Sequence, residues 1–332
     1  MEFLLPSLLL ILGLIFLVKG ADIFITNVSK LGKKLGVNDM LLGITVVALG
    51  TSIPEVFVSI SSVINLKPEI AIGNSLGSNI ANIGIVFGFS CFFIARSEIS
   101  LNLRDIFLLI LTSLIAGYVL FDYKISVSDS ILMIGLFLLF LMHLLRQKPQ
   151  EINSSSDSNN TLWLIFLSLS SLVFLLIGSE LTVKYGSSIA SLIGISDVVI
   201  GLTMVAIGTS LPELATSFVA LKQKKGNLVI GNIVGSNILN IILVFPIIGM
   251  SLSKIFGSEI LTRDILMMSI LTAIFVTYLS LGSFENRFKK LSAPIVGMSL
   301  IATPFTIFSV CFDLFLLPIS FPFFIFKRNT LF

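Results

Sequence analysis

The chain has 332 residues, 55% of them hydrophobic and only 12% charged, with a mean hydropathy of +1.07. That composition excludes a soluble globular protein, which needs a charged surface, and leaves an integral membrane protein. A formal charge of +3 is small for this length and excludes nucleic-acid binding as the main role. The two isolated cysteines, Cys91 and Cys311, offer neither a disulfide framework nor a metal cluster.

A helix needs about 20 apolar residues to cross hydrocarbon. In chain order, ten such runs are predicted, near 4–29, 38–64, 70–94, 104–121, 129–145, 161–190, 197–220, 228–250, 264–281 and 292–312. The first run lacks a small-residue cleavage site and reads as a retained helix, not a signal peptide. The single histidine, His143, lies near the end of the fifth run and reads as a membrane-interface residue. The chain thus divides into a first five-helix unit (1–145), a polar Ser/Asn-rich linker (146–160), a second five-helix unit (161–312) and an unassigned tail (313–332) that holds Pro318 and Pro322.

The second and seventh runs contain nearly the same interruption. "GITVVALGTSIPE", Gly43 to Glu55, matches "GLTMVAIGTSLPE", Gly201 to Glu213, because 201 − 43, 209 − 51 and 213 − 55 all equal 158. The third and eighth runs keep that register with "GNSLGSNIAN", Gly73 to Asn82, and "GNIVGSNILN", Gly231 to Asn240. One five-span unit is written twice, and an odd number of spans inverts the second copy in the bilayer. Loop charges agree. Lys30, Lys33, Lys34, Arg146, Lys222, Lys224 and Lys225 fall on one side with others, while Lys67, Lys124, Lys184 and Arg263 fall on the opposite side. The positive-inside rule then places both termini outside and the 146–160 linker in the cytoplasm.

Proline lacks an N–H, so Pro54 and Pro212 are expected to free the carbonyls of Gly50 and Gly208 and to break helices 2 and 7; helices 3 and 8 are expected to be broken as well, and their glycines to allow close helix packing. Thr51 and Glu55, and Thr209 and Glu213, are one helical turn apart and share a face. Ser78 with Asn82 and Ser236 with Asn240 repeat the pairing in the neighbouring runs. Everything offered is hard oxygen, which suits Ca²⁺ or Na⁺ and not the soft metals that want thiolate or imidazole. Two ionised glutamates at membrane depth must hold cations or protons, and one Ca²⁺, two Na⁺ or two H⁺ neutralise them equally. Asp39 and Asp197 read as helix-start residues. Asp22 and Glu180 read as paired groups of a wet cavity, with Lys19 three residues before Asp22.

The paired GTSxPE and GSNxxN motifs make the chain resemble the sodium/calcium exchanger family of the cation/calcium exchanger superfamily, in its short prokaryotic form. The resemblance runs over about residues 1–300. It implies an all-α integral membrane fold of ten transmembrane helices in two inverted five-helix repeats, with the long first helices of each repeat sliding against a compact core. It implies three Na⁺ exchanged for one Ca²⁺. Glu55 and Glu213 would hold Ca²⁺ with the carbonyls of Thr51 and Thr209. Ala48, Thr51, Ser52, Ser78, Ala206, Thr209, Ser210 and Ser236 would complete the Na⁺ positions, and Asn82 and Asn240 would face the middle. One departure stands out: relatives carry an acid at one of those two last positions, and this chain has an amide at both.

The expected activity is Na⁺/Ca²⁺ antiport in the cell membrane, not enzymatic catalysis, with Ca²⁺ and Na⁺ as transported ions, no cofactor, the lipid bilayer as surroundings and no obligate protein partner. The same fold suits a Ca²⁺/H⁺ or K⁺-linked exchanger. An intramembrane hydrolase fits less well, because no base stands near the serines, although Glu55 and Glu213 could act as a dyad.

Overall fold

The computed structural model describes residues 3–94, 102–147, 160–195, 208–250, 256–258 and 260–280. All regular structure among the described residues is helical. Seven helices are long and apolar enough to cross a membrane, or eight if one bent pair counts as a single span. The tenth run, residues 197–207 of the seventh, most of the linker and the tail lie outside the described residues.

Helix α1 (Leu4–Leu35) has 32 residues, about 48 Å at 1.5 Å per residue, well beyond the hydrocarbon thickness. It ends at Gly36, whose φ of 70° is left-handed and free of strain only for glycine. The run was expected to stop at residue 29, with Lys30, Lys33 and Lys34 in a loop, yet the helix carries all three. Hydropathy marks where lipid ends, whereas lysine is a good helix former and suits the C-terminal dipole. In the sixth run, which ends close to the expected residue 190, Lys184 counted as a loop charge and likewise lies inside the helix.

The bent pair follows. Helix α2 (Asp39–Thr51) opens with the Asn38 side chain accepting from the Leu41 N–H at 2.8 Å, and Asp39 occupies its first turn. It contains a π-helical stretch, Gly43–Val47. Helix α3 (Ile53–Ile64) departs at 41° from it. Ser52 sits at the corner with φ −83° and ψ 4°, and Pro54 falls in the first turn of α3, where a missing N–H costs nothing.

Helix α4 (Pro68–Ser90) is a continuous helical run and not the broken helix expected. With no proline after its start, no N–H is removed, and the chain adjusts through a π-helical stretch, Asn82–Phe87. Helices α5 (Leu103–Val119) and α6 (Val127–Leu145) pack against residues 226–249 of the second half. Helix α7 (Thr161–Leu192) again has 32 residues and lies along α1. Their crossing depends on glycine. A methyl added at Gly20 would lie 2.6 Å from the Leu175 amide nitrogen, and Gly178 abuts the backbone of Phe16 and Leu17. The other faces of both helices carry exposed Leu8, Ile15, Leu162 and Phe166, as lipid contact requires.

Helix α8 (Leu211–Lys222) repeats the corner of α3, with Ser210 at φ −87° and ψ 3° and Pro212 in its first turn. Helix α9 (Gly226–Gly249) is buried along almost its whole length and forms the axis of the molecule. Its helical hydrogen bonding lapses at Leu243 alone, past the GNxxGSNxxN motif, which itself lies on unbroken helix. Helix α10 (Ile260–Ser280) closes the described fold.

Candidate functional site

Close backbone approach builds the site. Helix α2 crosses α9 where Gly43 meets Gly231 and Asn232, and where Gly235 abuts Ile44 and Ala48. Small residues allow such contact between membrane helices. The crossing seats the Ala48–Ser52 segment against Asn232, and the Thr51 hydroxyl lies 3.3 Å from the Asn232 Oδ1 while donating to the Val47 carbonyl at 3.0 Å. The matching contact 158 residues on runs the other way: the Thr209 hydroxyl donates to the Asn74 Oδ1 at 3.2 Å.

Glu55 and Glu213 are buried, at 0% and 1% exposure, and each carboxylate is in the other's field. Hydrogen bonds at these groups join the two halves of the chain through Ser52 and Glu213 and through Ser78 and Thr209. The Ser52 hydroxyl donates to the Glu213 Oε1 at a long 3.5 Å, and the Ser78 hydroxyl donates to the Glu55 Oε1 at 3.3 Å while sitting 3.2 Å from the Thr209 hydroxyl.

What these groups leave unused is more telling. Glu55 Oε2, Glu213 Oε2, Asn82 Oδ1, Asn240 Oδ1, Ser210 Oγ and Ser236 Oγ are buried and have no hydrogen-bond partner among the described residues. A buried polar atom without a partner costs about 1–3 kcal/mol, more for a charged one. Six at one motif pair mark a place where a bound ion or water supplies the missing partners. All are oxygens, and no group of three or more His, Cys, Asp or Glu occurs among the described residues. The donor set fits hard cations.

Four asparagines organise the middle. Asn79 Nδ2 donates to the Asn237 carbonyl at 3.0 Å and Asn237 Nδ2 to the Asn79 carbonyl at 3.4 Å. Their side-chain oxygens then accept from Asn240 Nδ2 and Asn82 Nδ2, each at 3.1 Å. Residues 79 and 237, like 82 and 240, are 158 apart.

Of the residues the motifs single out, Ala48, Thr51, Ser52, Glu55, Ser78, Asn82, Thr209, Ser210, Glu213, Ser236 and Asn240 are buried on α2, α3, α4, α8 and α9 or at the two serine corners. Ala206 lies outside the described residues. The freed carbonyl of Gly208 is not a bare ligand: it accepts from the Ser179 hydroxyl on α7 at 3.1 Å. Sequence reasoning passed over Asn74, Asn79, Asn232 and Asn237, although their 158-residue register was available as a signal. Ser75, which donates to the Asn240 carbonyl at 2.6 Å, and Ser179 gave no such signal, since Ile233 and Ala21 stand at the matching positions.

His143, in the last turn of α6, is partly buried and has a partner that the sequence did not reveal: its Nε2 lies 2.6 Å from the Asp105 Oδ1 and 3.2 Å from the Gln147 amide, tying α5 to α6. Asp22, read as pairing with Lys19, instead accepts from the Gln223 amide at 3.4 Å.

Comparison with known proteins gives the same picture. The chain is 33% identical over 322 residues to a protein of Alkalimonas amylolytica that carries the name antiporter CaxA, a match covering 92% of this chain and 99% of the relative. It is 32% identical over 287 residues to the sodium/calcium exchanger MaX1 of Methanosarcina acetivorans, covering 73% and 82%. A solved structure of the sodium-calcium exchanger NCX_Mj, soaked with Na⁺ and Sr²⁺, superposes with a TM-score of 0.75 at 30% identity over 90% of this chain and 98% of that one. The family model described as sodium/calcium exchanger protein matches residues 5–146 and 163–321. With both repeats of the motif inside the matched segments and the fold shared with an ion exchanger, this multi-pass membrane protein belongs to the sodium/calcium exchanger family.

Proposed function

We propose that the chain is a secondary active antiporter that exchanges Na⁺ for Ca²⁺ by alternating access, with Ca²⁺ held between Glu55 and Glu213. The observation that carries this reading is the set of six buried oxygens without partners, drawn from both halves of the chain. Two carboxylate oxygens supply the charge a divalent ion needs, and neutral oxygens fill out its six to eight ligands. The Thr51 and Thr209 carbonyls complete the Ca²⁺ position, while Ala48, Ser52, Ser78, Ala206, Ser210 and Ser236 serve Na⁺, with Asn82 and Asn240 in the middle. The ion is the substrate, and no covalent chemistry is involved.

The same proposal takes the fold as ten helices in two inverted repeats, residues 1–145 and 161–312, joined by a cytoplasmic linker at 146–160, with both termini outside the cell membrane. The contacts that recur at a spacing of 158 support it: Gly20 against Leu175 and Gly178 against Leu17, Thr51 beside Asn232 and Thr209 beside Asn74. Helices α1 and α7 move together against the core, since their mutual contact is tight backbone packing. Coupling arises because the loaded site is neutral and the empty one carries two buried charges, so the carrier reorients only when occupied.

The test is radioactive Ca²⁺ uptake by vesicles containing the purified chain. Vesicles loaded with Na⁺ and diluted into Na⁺-free medium are expected to accumulate Ca²⁺, whereas an imposed pH or K⁺ gradient alone is not. Uptake driven by the pH gradient would make the chain a Ca²⁺/H⁺ exchanger, and Ca²⁺ leak without any counter-ion would overturn antiport.

A further inference from the structure

Away from the glutamates, the start of α5 and the end of α6 enclose a cavity of about 360 Å³ lined by Asn102, Arg104, His143, Arg146 and Gln147. Small-molecule sites span about 300–1,000 Å³. The contact between Asp105 and His143, 2.6 Å long, fixes its shape. Arg104 directly precedes Asp105 on α5, and Arg146 and Gln147 follow His143 by three and four residues, one helical turn on. Joining the acid to the histidine therefore brings both guanidiniums to one rim.

That rim is positive in every protonation state. The Asp105–His143 pair is neutral overall when His143 is charged and carries a single negative charge when it is not, whereas the two arginines stay charged throughout. No carboxylate lines the cavity, and neither Arg104 nor Arg146 has an ion-pair partner among the described residues. The Asn102 Oδ1 is taken by the Arg104 N–H at 3.1 Å, which leaves Nδ2 as a further donor. Charge and N–H donors around an open space suit an anion with several oxygens, and the guanidinium fork matches phosphate.

The surface below the rim says where that phosphate comes from. Leu103, Phe107, Ile110 and Leu114 are all exposed, at spacings of four, three and four, so they form one apolar stripe along α5 that starts beside Arg104. On α6, exposed Leu138, Leu141 and Leu145 lead up to Arg146 in the same way. A free phosphate satisfies the rim alone, whereas a phospholipid satisfies the rim and the stripes together. We propose that the cavity binds the phosphodiester of an anionic phospholipid whose acyl chains lie along α5 and α6, clasping the start of one helix to the end of the other. The positive rim disfavours headgroups that carry a cation of their own. The proposal is independent of which ions the protein carries.

The experiment titrates phosphatidylglycerol into the purified chain in neutral detergent and follows its melting temperature, with phosphatidylcholine and inorganic phosphate in parallel. Phosphatidylglycerol is expected to raise the melting temperature saturably, and the other two are not. Arg104→Gln and Arg146→Gln should each raise the half-saturating lipid concentration at least about tenfold, the loss of one charge-assisted contact. The double variant should lose the response while still melting cooperatively. Lys222→Gln combined with Lys224→Gln, which removes charge on the same side as Arg146, should respond as the parent does. If the double arginine variant melts without cooperativity, Arg104→Lys with Arg146→Lys keeps the charge but not the fork, and should bind more weakly than the parent. No response in the parent, an equal response to phosphatidylcholine or to inorganic phosphate, or a response undiminished in the arginine variants would each overturn the proposal.

Discussion

Gly231→Ala tests whether the glycine crossing of α2 and α9 sets the site geometry. An added methyl at Gly231 would lie 3.1 Å from the Gly43 Cα, 3.1 Å from the Ile44 nitrogen, and closer still to the Met40 carbonyl oxygen. All three are backbone atoms, so no side-chain rotation relieves the contact. Carbon contacts settle at about 3.5–4.0 Å, which requires the helices to part by roughly half an ångström to an ångström. Overpacking of this kind costs about 1–3 kcal/mol, offset by up to about 1 kcal/mol from the better helix propensity of alanine. The net expectation is about 1–2 kcal/mol of lost stability. Gly135→Ala in α6 provides the opposite case, because a methyl there meets nothing within 4 Å among the described residues. It should gain about 0.5–1 kcal/mol from propensity alone. Thermal melting in detergent should therefore move down for the first variant and up for the second. Flux should fall only in the first, by up to about 100-fold if Ala48, Thr51 and Ser52 shift by an ångström from Ser236. A Gly231→Ala protein that melts at or above the parent and transports at full rate would refute the reasoning.

Glu55→Gln and Glu213→Gln are each expected to abolish exchange and the Ca²⁺-dependent rise in melting temperature, a stabilisation worth about 2.7 kcal/mol at a Ca²⁺ concentration 100 times Kd. The ion-free proteins should melt no lower than the parent, because a buried uncompensated charge has gone, and a retained Ca²⁺ shift would remove these residues from the site. Ser179→Ala leaves the Gly208 carbonyl without its hydroxyl donor and should cost about 1–2 kcal/mol in melting experiments; an unchanged melting temperature would mean that another donor takes over. His143→Leu strands Asp105, whose Oδ2 already lacks a partner among the described residues, and should cost about 3 kcal/mol. The double variant with Asp105→Leu should recover most of that, and equal losses in the single and double variants would argue against the ion pair.

Much of the fold was legible because membrane burial writes itself into sequence. Nine of the ten predicted runs coincide at least in part with described helices, since a lipid-facing helix must be apolar for about 20 residues. The corners at Ser52 and Ser210 were legible because proline acts on the backbone locally. Not every helix end was: α1 runs past its apolar stretch into three lysines that are equally content in a helix, whereas α7 ends at Leu192, two residues beyond the expected end. The break expected in α4 does not occur, because no proline after its start removes an N–H and a π-helical stretch keeps the backbone bonded. His143 was unreadable because its partner lies 38 residues away on another helix, with no pattern linking the two.

The site itself divides the same way. Glu55 and Glu213 announced themselves as charges in apolar runs, and the 158-residue register tied them together. The register does not say which contacts are shared, and several are not. The Gly208 carbonyl accepts from Ser179, but the matching residue to Ser179 is Ala21, which has no hydroxyl to offer Gly50. Ser75 anchors the Asn240 carbonyl, but Ile233 stands where the reciprocal donor would be. Both extra bonds hold backbone of the second half and have no counterpart on the first. Each is worth about 1 kcal/mol, so backbone of the second half is pinned by two serines that the first half lacks. The shared register places the acids and the amides, and the departures from it decide which backbone around them is held.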